Sequence, residues 1–168
     1  MVLDVLADRA GIRLSPGKGA RSRAVSGEGR LAGRRVVLAR PLTYMNESGG
    51  PVRGLLDYHK LAVADLVVVH DELDIPFSVV RLKRGGGEGG HNGLRSITRS
   101  TGTKDYLRVR VGIGRPPGRQ DPADFVLKDF SATERKELDL LLVEAADATE
   151  ALLARGLEAA QNEVHPRS

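Results

Sequence analysis

Along the chain, the spacing of apolar positions changes several times, and each change predicts an element. Val2 to Ala10 carries Leu3, Leu6, Ala7 and Ala10 at helical spacing and stops at Gly11. Residues 20–40 read as two strands, 20–27 and 34–40, with a turn between Gly27 and Gly33. Pro51 suits the first turn of a helix bearing Val52, Leu55, Leu56 and His59. Residues 66–69 are one continuous apolar run, the pattern of a strand covered on both faces, and it ends at His70-Asp71-Glu72. Residues 78–84 alternate, with Val80 and Leu82 on one face and Arg81 and Lys83 on the other. A helix is expected from Asn92 to Ser100. Residues 106–113 alternate again: Leu107, Val109, Val111 and Ile113 share one face, and Arg108 and Arg110 the other. Ser131 to Glu134 forms a capping box that opens a long amphipathic helix through Leu138, Leu141, Leu142 and Ala145.

Helices alternating with strands predict an α/β class, here a three-layer α/β/α sandwich around a mixed, partly parallel twisted sheet. The short strand at 78–84 fits an antiparallel edge. A chain of 168 residues without repeats or linkers suits a single domain spanning 1–168. The absence of cysteine excludes disulfides and thiolate metal sites, and fits a reducing compartment. Asp4 and Asp8 interrupt the first residues, which do not read as a signal peptide. No apolar run approaches the length of a membrane span. A soluble, cytoplasmic protein is expected. The formal charge is +4, with Lys and Arg gathered in 19–40 and 81–119 and many acids in the last 40 residues. That asymmetry points to an anionic partner on one side.

Three stretches carry candidate chemistry. Gly85, Gly87 and Gly90 spell G-x-G-x-x-G between a strand and a helix. A dinucleotide loop is disfavoured, because the preceding strand carries Arg81, Lys83 and Arg84 and no acid closes a second buried strand downstream. No Gly-Lys-Ser/Thr follows either, so a backbone-exposing loop remains. His70-Asp71-Glu72 ends the most apolar strand, at the edge where open α/β sheets bind ligands. Asp71 cannot orient His70, because strand neighbours point to opposite faces, so its partner must come from elsewhere. A metal set of His70, Asp71, Glu72 and Asp74 is disfavoured for the same divergence, and a plain turn at 73–76 stays open. In Tyr44-Met45-Asn46, an amide beside apolar neighbours offers both a donor and an acceptor, enough to grip an ester and support its oxyanion. The same stretch also reads as a helix-capping loop, with Asn46 or Ser48 as the cap.

Together, ARPLTYMNESGGPV, LVVVHDELDIPFSVVRLKRGGGEGGHNGLRSI and YLRVRVGIGRP resemble the bacterial peptidyl-tRNA hydrolases, in order along nearly the whole chain. The resemblance implies a monomeric, cytoplasmic α/β enzyme. It would hydrolyse the ester between a peptide and the 3′ end of tRNA, and so recycle tRNA, without metal or cofactor. By position, Asp71 resembles the carboxylate that stabilises the basic form of a catalytic histidine. Asn46 and Asn92 resemble the amides that bind substrate and place the ester and water. Tyr44 and Met45 resemble pocket walls, and His91 a supporting pocket residue. Lys83 and Arg110 resemble a clamp for the tRNA 5′ phosphate, with Arg81 and Arg108 beside it.

One departure stands out. Members of this family begin with a strand and a loop of the form Gly-Leu-Gly-Asn-Pro-Gly, then Thr-Arg-His-Asn, which carries the catalytic histidine. Here the first helix starts at Met1 without a capping residue. A longer gene product is therefore expected, with the histidine upstream. The alternatives are an inactive short hydrolase, a non-catalytic RNA-binding protein of the same fold (as in splicing factors), or His91 acting as a replacement base oriented by Asp71.

Overall fold

In the computed structural model, which describes residues 2–17, 23–43, 47–87, 91–114 and 132–164, each change of spacing becomes an element. The helices are α1 (Val2–Ala10), α2 (Gly49–Tyr58), α3 (Asn92–Thr101), α4 (Ala132–Arg155) and α5 (Leu157–Val164). The strands are β1 (Ser15–Pro16), β2 (Ala24–Leu31), β3 (Arg34–Pro41), β4 (Val67–Glu72), β5 (Val80–Arg84) and β6 (Leu107–Gly112). The capping box expected at Ser131 lies outside the described residues.

Two sheets form, in the orders β1-β2-β3 and β4-β6-β5. The first is antiparallel. In the second, β4 runs parallel to β6, from Val67 opposite Leu107 to Glu72 opposite Gly112, and β5 lies antiparallel on the far edge of β6. The sheet is thus mixed, with the antiparallel edge expected at 78–84. Val80, Leu82, Val109 and Val111 pack with Leu6, Leu141, Ala145 and Leu152 of the helices and with Leu31 and Leu38 of the first sheet. Each fully buried leucine among these is worth roughly 1.5–3 kcal/mol. On the opposite face, Leu94, Ile97 and Tyr106 gather Val52, Val63, Leu66 and Val68. Helices therefore cover both faces, giving the three layers. No helix among the described residues is long and apolar enough to cross a membrane.

The first hairpin departs from expectation. β2 does not stop at Gly27 but continues to Leu31, and the turn is only Ala32-Gly33, at φ 52° and 77°. Two consecutive left-handed residues match the twist of the flanking strands. Gly27 and Gly29 are not turn residues. Ile12 lies on them so closely that a Cβ at either would sit 2.5 Å from its side chain. Glycine inside a strand here marks close approach, not chain reversal. The run at 66–69 also differs, since Val67, Val68 and Val69 are only half-buried. β4 has β6 on one side and no strand on the other among the described residues.

Two buried details have measurable consequences. The Gly49 amide donates to the Ser96 hydroxyl at 2.8 Å, which joins the start of α2 to α3. A Cβ at Gly49 would run into the Ser96 carbonyl and the Ser100 hydroxyl. Gly49→Ala should therefore cost about 1–3 kcal/mol through overpacking, despite alanine's better helix propensity. A urea midpoint equal to the parent's would show that α2 and α3 do not approach this closely.

His70 is the second. Burial lowers its pKa from 6.5 to about 4, against a weaker opposing effect from its hydrogen bond to the Asp71 carbonyl. The folded ring binds a proton more weakly than the unfolded one. Stability is then full above pH 6.5 and falls as pH drops towards about 4. The total loss is about 3 kcal/mol. Urea midpoints measured from pH 7 to pH 4 should show this slope, and His70→Phe should abolish it. Asp71 adds its own loss only below its ordinary value of 3.8, because its pKa is lowered in the fold.

Candidate active site

The carboxyl end of β4 and the amino end of α3 meet. Asp71 closes the apolar run of β4, and His91 is the N-cap residue of α3, twenty positions later. His91 Nε2 lies 3.0 Å from Asp71 Oδ1. Its Nδ1 accepts the Leu94 backbone N–H at 3.2 Å. A backbone N–H can only donate, so the imidazole proton sits on Nε2 and is given to Asp71. Both nitrogens are then committed, and the neutral ring has no lone pair for a substrate. The contact required for His91 to be a base oriented by Asp71 is met, but the tautomer it fixes is that of a strut. The hydrogen bond from His91 is the main reason Asp71 is held below the usual carboxylate range, and burial opposes it.

His70 stands behind this pair. It does not engage the Asp71 carboxylate, as strand geometry requires. Its Nδ1 bonds the Asp71 main-chain oxygen at 2.8 Å, and its ring meets His91 edge-on with centroids 5.2 Å apart. His70 Nε2 is buried without a partner among the described residues. Asn92 is the first residue of α3 and is exposed at the mouth of this edge. Tyr44, Met45 and Asn46 lie outside the described residues. The chain just after them is fixed, because Gly49 is bonded to Ser96, four positions beyond Asn92. No three His, Asp or Glu side chains converge as a metal site would need among the described residues.

The basic residues separate into two groups. Register places Arg81 opposite Arg110 and Lys83 opposite Arg108, on the face shared with His70 and Glu72. Arg110 donates to Glu72 Oε1 at 2.8 Å, with both side chains mostly covered. Lys83 is half-buried, and burial followed by the nearby Arg110 and Arg108 charges lowers its pKa. Arg108 shares the face of Arg110, as alternation expects, but that face is covered where Arg108 stands. The residue is 0 % exposed. Its guanidinium lies 4.7 Å over the Tyr106 ring and donates to the Gly87 carbonyl at 2.7 Å and the Gly86 carbonyl at 3.2 Å. The glycine loop covers it. Gly85 and Gly86, at φ 68° and 95°, turn those carbonyls inward. Sequence reasoning missed this packing. The available signal was Tyr106 two residues before Arg108, on the same side of the chain.

What this edge offers is an ionised carboxylate held by the His91 imidazole, an exposed amide and a basic flank. The whole chain, residues 1–168, matches the family described as Peptidyl-tRNA hydrolase. It is 66% identical over 165 residues to a peptidyl-tRNA hydrolase of Frankia casuarinae, covering 98% of this chain and 82% of that one. Against the peptidyl-tRNA hydrolase of Rhodococcus erythropolis, identity is 63% over 165 residues, covering 98% and 86%. The crystal structure of peptidyl-tRNA hydrolase from Acinetobacter baumannii superimposes with a TM-score of 0.85 at 35% identity, covering 97% of this chain and 82% of that one. By these measures, with the fold and its mixed sheet in agreement, the chain belongs to the peptidyl-tRNA hydrolase family.

Proposed function

We propose that this protein hydrolyses the ester between a peptide and the 3′ end of tRNA, acting in the cytoplasm as a monomer. The observation that carries the reading is the Asp71 carboxylate, held ionised at the carboxyl end of β4 beside the exposed Asn92. In this scheme, Asp71 stabilises the basic form of a histidine that takes a proton from the attacking water. Asn92 and Asn46 hold the ester and the water, with Tyr44 and Met45 as walls. His91 keeps Asp71 in place. Lys83 and Arg110, with Arg81 beside them, meet the tRNA 5′ phosphate, contributing salt-dependent affinity without reading sequence.

The base itself is a histidine on a segment outside these 168 residues. Two observations support that assignment. Among the described histidines, His91 has both nitrogens committed, His70 is buried, and His59 is engaged through Nδ1 with Glu28 of the first sheet at 3.0 Å. Meanwhile, among the described residues, β3 is paired only by β2, and β4 only by β6, so each leaves one edge where a further strand fits.

Translating the in-frame codons upstream of Met1 tests the assignment directly. An Asn-Pro-Gly and Arg-His-Asn segment is expected, and a stop codon reached first would defeat it. Protein made from the longer frame should release peptide from peptidyl-tRNA. Asp71→Asn in that protein should lower kcat on the order of 10²-fold or more with KM nearly unchanged, since the carboxylate acts on the base. If the longer protein binds tRNA yet releases nothing, it is an RNA-binding module and the hydrolase reading is wrong.

Lys83→Ala and Arg110→Ala should each flatten the plot of log affinity for tRNA against log salt by about one unit of slope. An unchanged slope in both would remove them from the phosphate clamp.

A further inference from the structure

Arg108 is a fully buried cation, and no carboxylate pairs with it among the described residues. Burying an unpaired charge is costly unless dipoles surround it. Here the dipoles are the carbonyls of Gly87 at 2.7 Å, Gly86 at 3.2 Å and Lys104 at 3.4 Å, with the Tyr106 ring face beneath. Two of those carbonyls belong to the glycine loop and face inward only because Gly85 and Gly86 are left-handed. Cation and loop conformation thus require each other. Only three residues separate Gly87 from His91, a reach of about 13–14 Å for four peptide steps at most.

The other end of the same segment is also held from the β6 side. The fully buried Tyr106 hydroxyl donates to the Leu94 carbonyl at 3.3 Å and pairs with Thr98 Oγ1 at 3.0 Å. Leu94 is the residue whose N–H is capped by His91. The stretch bearing His91 and Asn92 is therefore pinned upstream by Arg108 and downstream by Tyr106. Both pins sit on one strand and its approach.

We propose that Arg108 is a positioning residue: its buried guanidinium fixes the Gly86 and Gly87 carbonyls and so sets where His91 and Asn92 stand against Asp71. It does not meet tRNA phosphate. The inference rests on the hydrolase reading for its catalytic consequence, but its structural content stands apart. Lysine cannot substitute, because a point charge with tetrahedral donors does not span two carbonyls as the planar fork does.

Arg108→Lys and Arg108→Met separate the alternatives. In both, amide hydrogen exchange of residues 85–95 should speed up by tenfold or more, while the β2–β3 hairpin keeps the parent's protection. The salt slope of tRNA binding should stay at the parent's value. In the active, longer protein kcat should fall about tenfold or more with little change in KM, and guanidinium ion should restore part of it in Arg108→Ala. If Arg108→Met does not fold, Arg108→Lys carries the test alone. A slope reduced by about one with parental exchange at 85–95 makes Arg108 a phosphate contact and overturns the proposal. Parental exchange and parental kcat in folded Arg108→Lys overturn it as well. Failure of the parent to release peptide would sink the hydrolase reading, while exchange and salt slope would still decide the role of Arg108.

Discussion

The parallel pairing of β4 with β6 is the constraint on which the site depends. Its register brings Glu72 level with Gly112 and His70 level with Arg110. One slip of that register would turn Asp71 to the opposite face and take Arg110 from beside Glu72. Parallel strands carry no tight hairpin to fix them, so register comes from what packs on either face. On one face it is the apolar row continued from Val80 to Val111. On the other it is Leu94, Ile97 and Tyr106, which bring α3 down onto the sheet. The geometry of the Asp71–His91 contact is a product of both cores.

That contact shows how one family of hydrogen bonds decides chemistry. An imidazole beside a carboxylate suggests a base, and distance alone would leave that reading standing. The Leu94 N–H removes it, because it occupies the only remaining lone pair. The helix N-terminus gains a cap, and Asp71 gains a fixed donor. The carboxylate keeps a second oxygen, and its side chain is 40% exposed against 12% for His91. The open part of the pair is the acid, not the ring.

Much of this was legible in the sequence. The continuous apolar run marked the strand end at His70-Asp71-Glu72, whereas a role for Asp71 came only from the family resemblance. Alternation at 78–84 and 106–113 gave the antiparallel edge and the shared cationic face. The hairpin was misjudged because glycine signals both turns and close approach, and only the packing of Ile12 distinguishes them. The burial of Arg108 was missed for a related reason. Period-two spacing states which side of a strand a residue faces, but not what covers that side. The pairing of Asp71 with His91, twenty residues away across a loop, was raised as one alternative, but the tautomer that decides its role follows from tertiary packing alone.

The glycine loop also limits the routes along which this sequence can drift. Among the described residues, a Cβ at Gly87 would meet nothing within 4 Å, so that position has room for a side chain. Gly85 and Gly86 stand at φ 68° and 95°, and a Cβ on Gly86 would meet the Lys83 ammonium at 2.7 Å. Every single-base change at the first or second position of a glycine codon installs a side chain or ends the protein. Three adjacent codons that look interchangeable therefore differ sharply in tolerance: the third can accumulate variation, and the first two act as a gate on which descendants of this chain keep their loop.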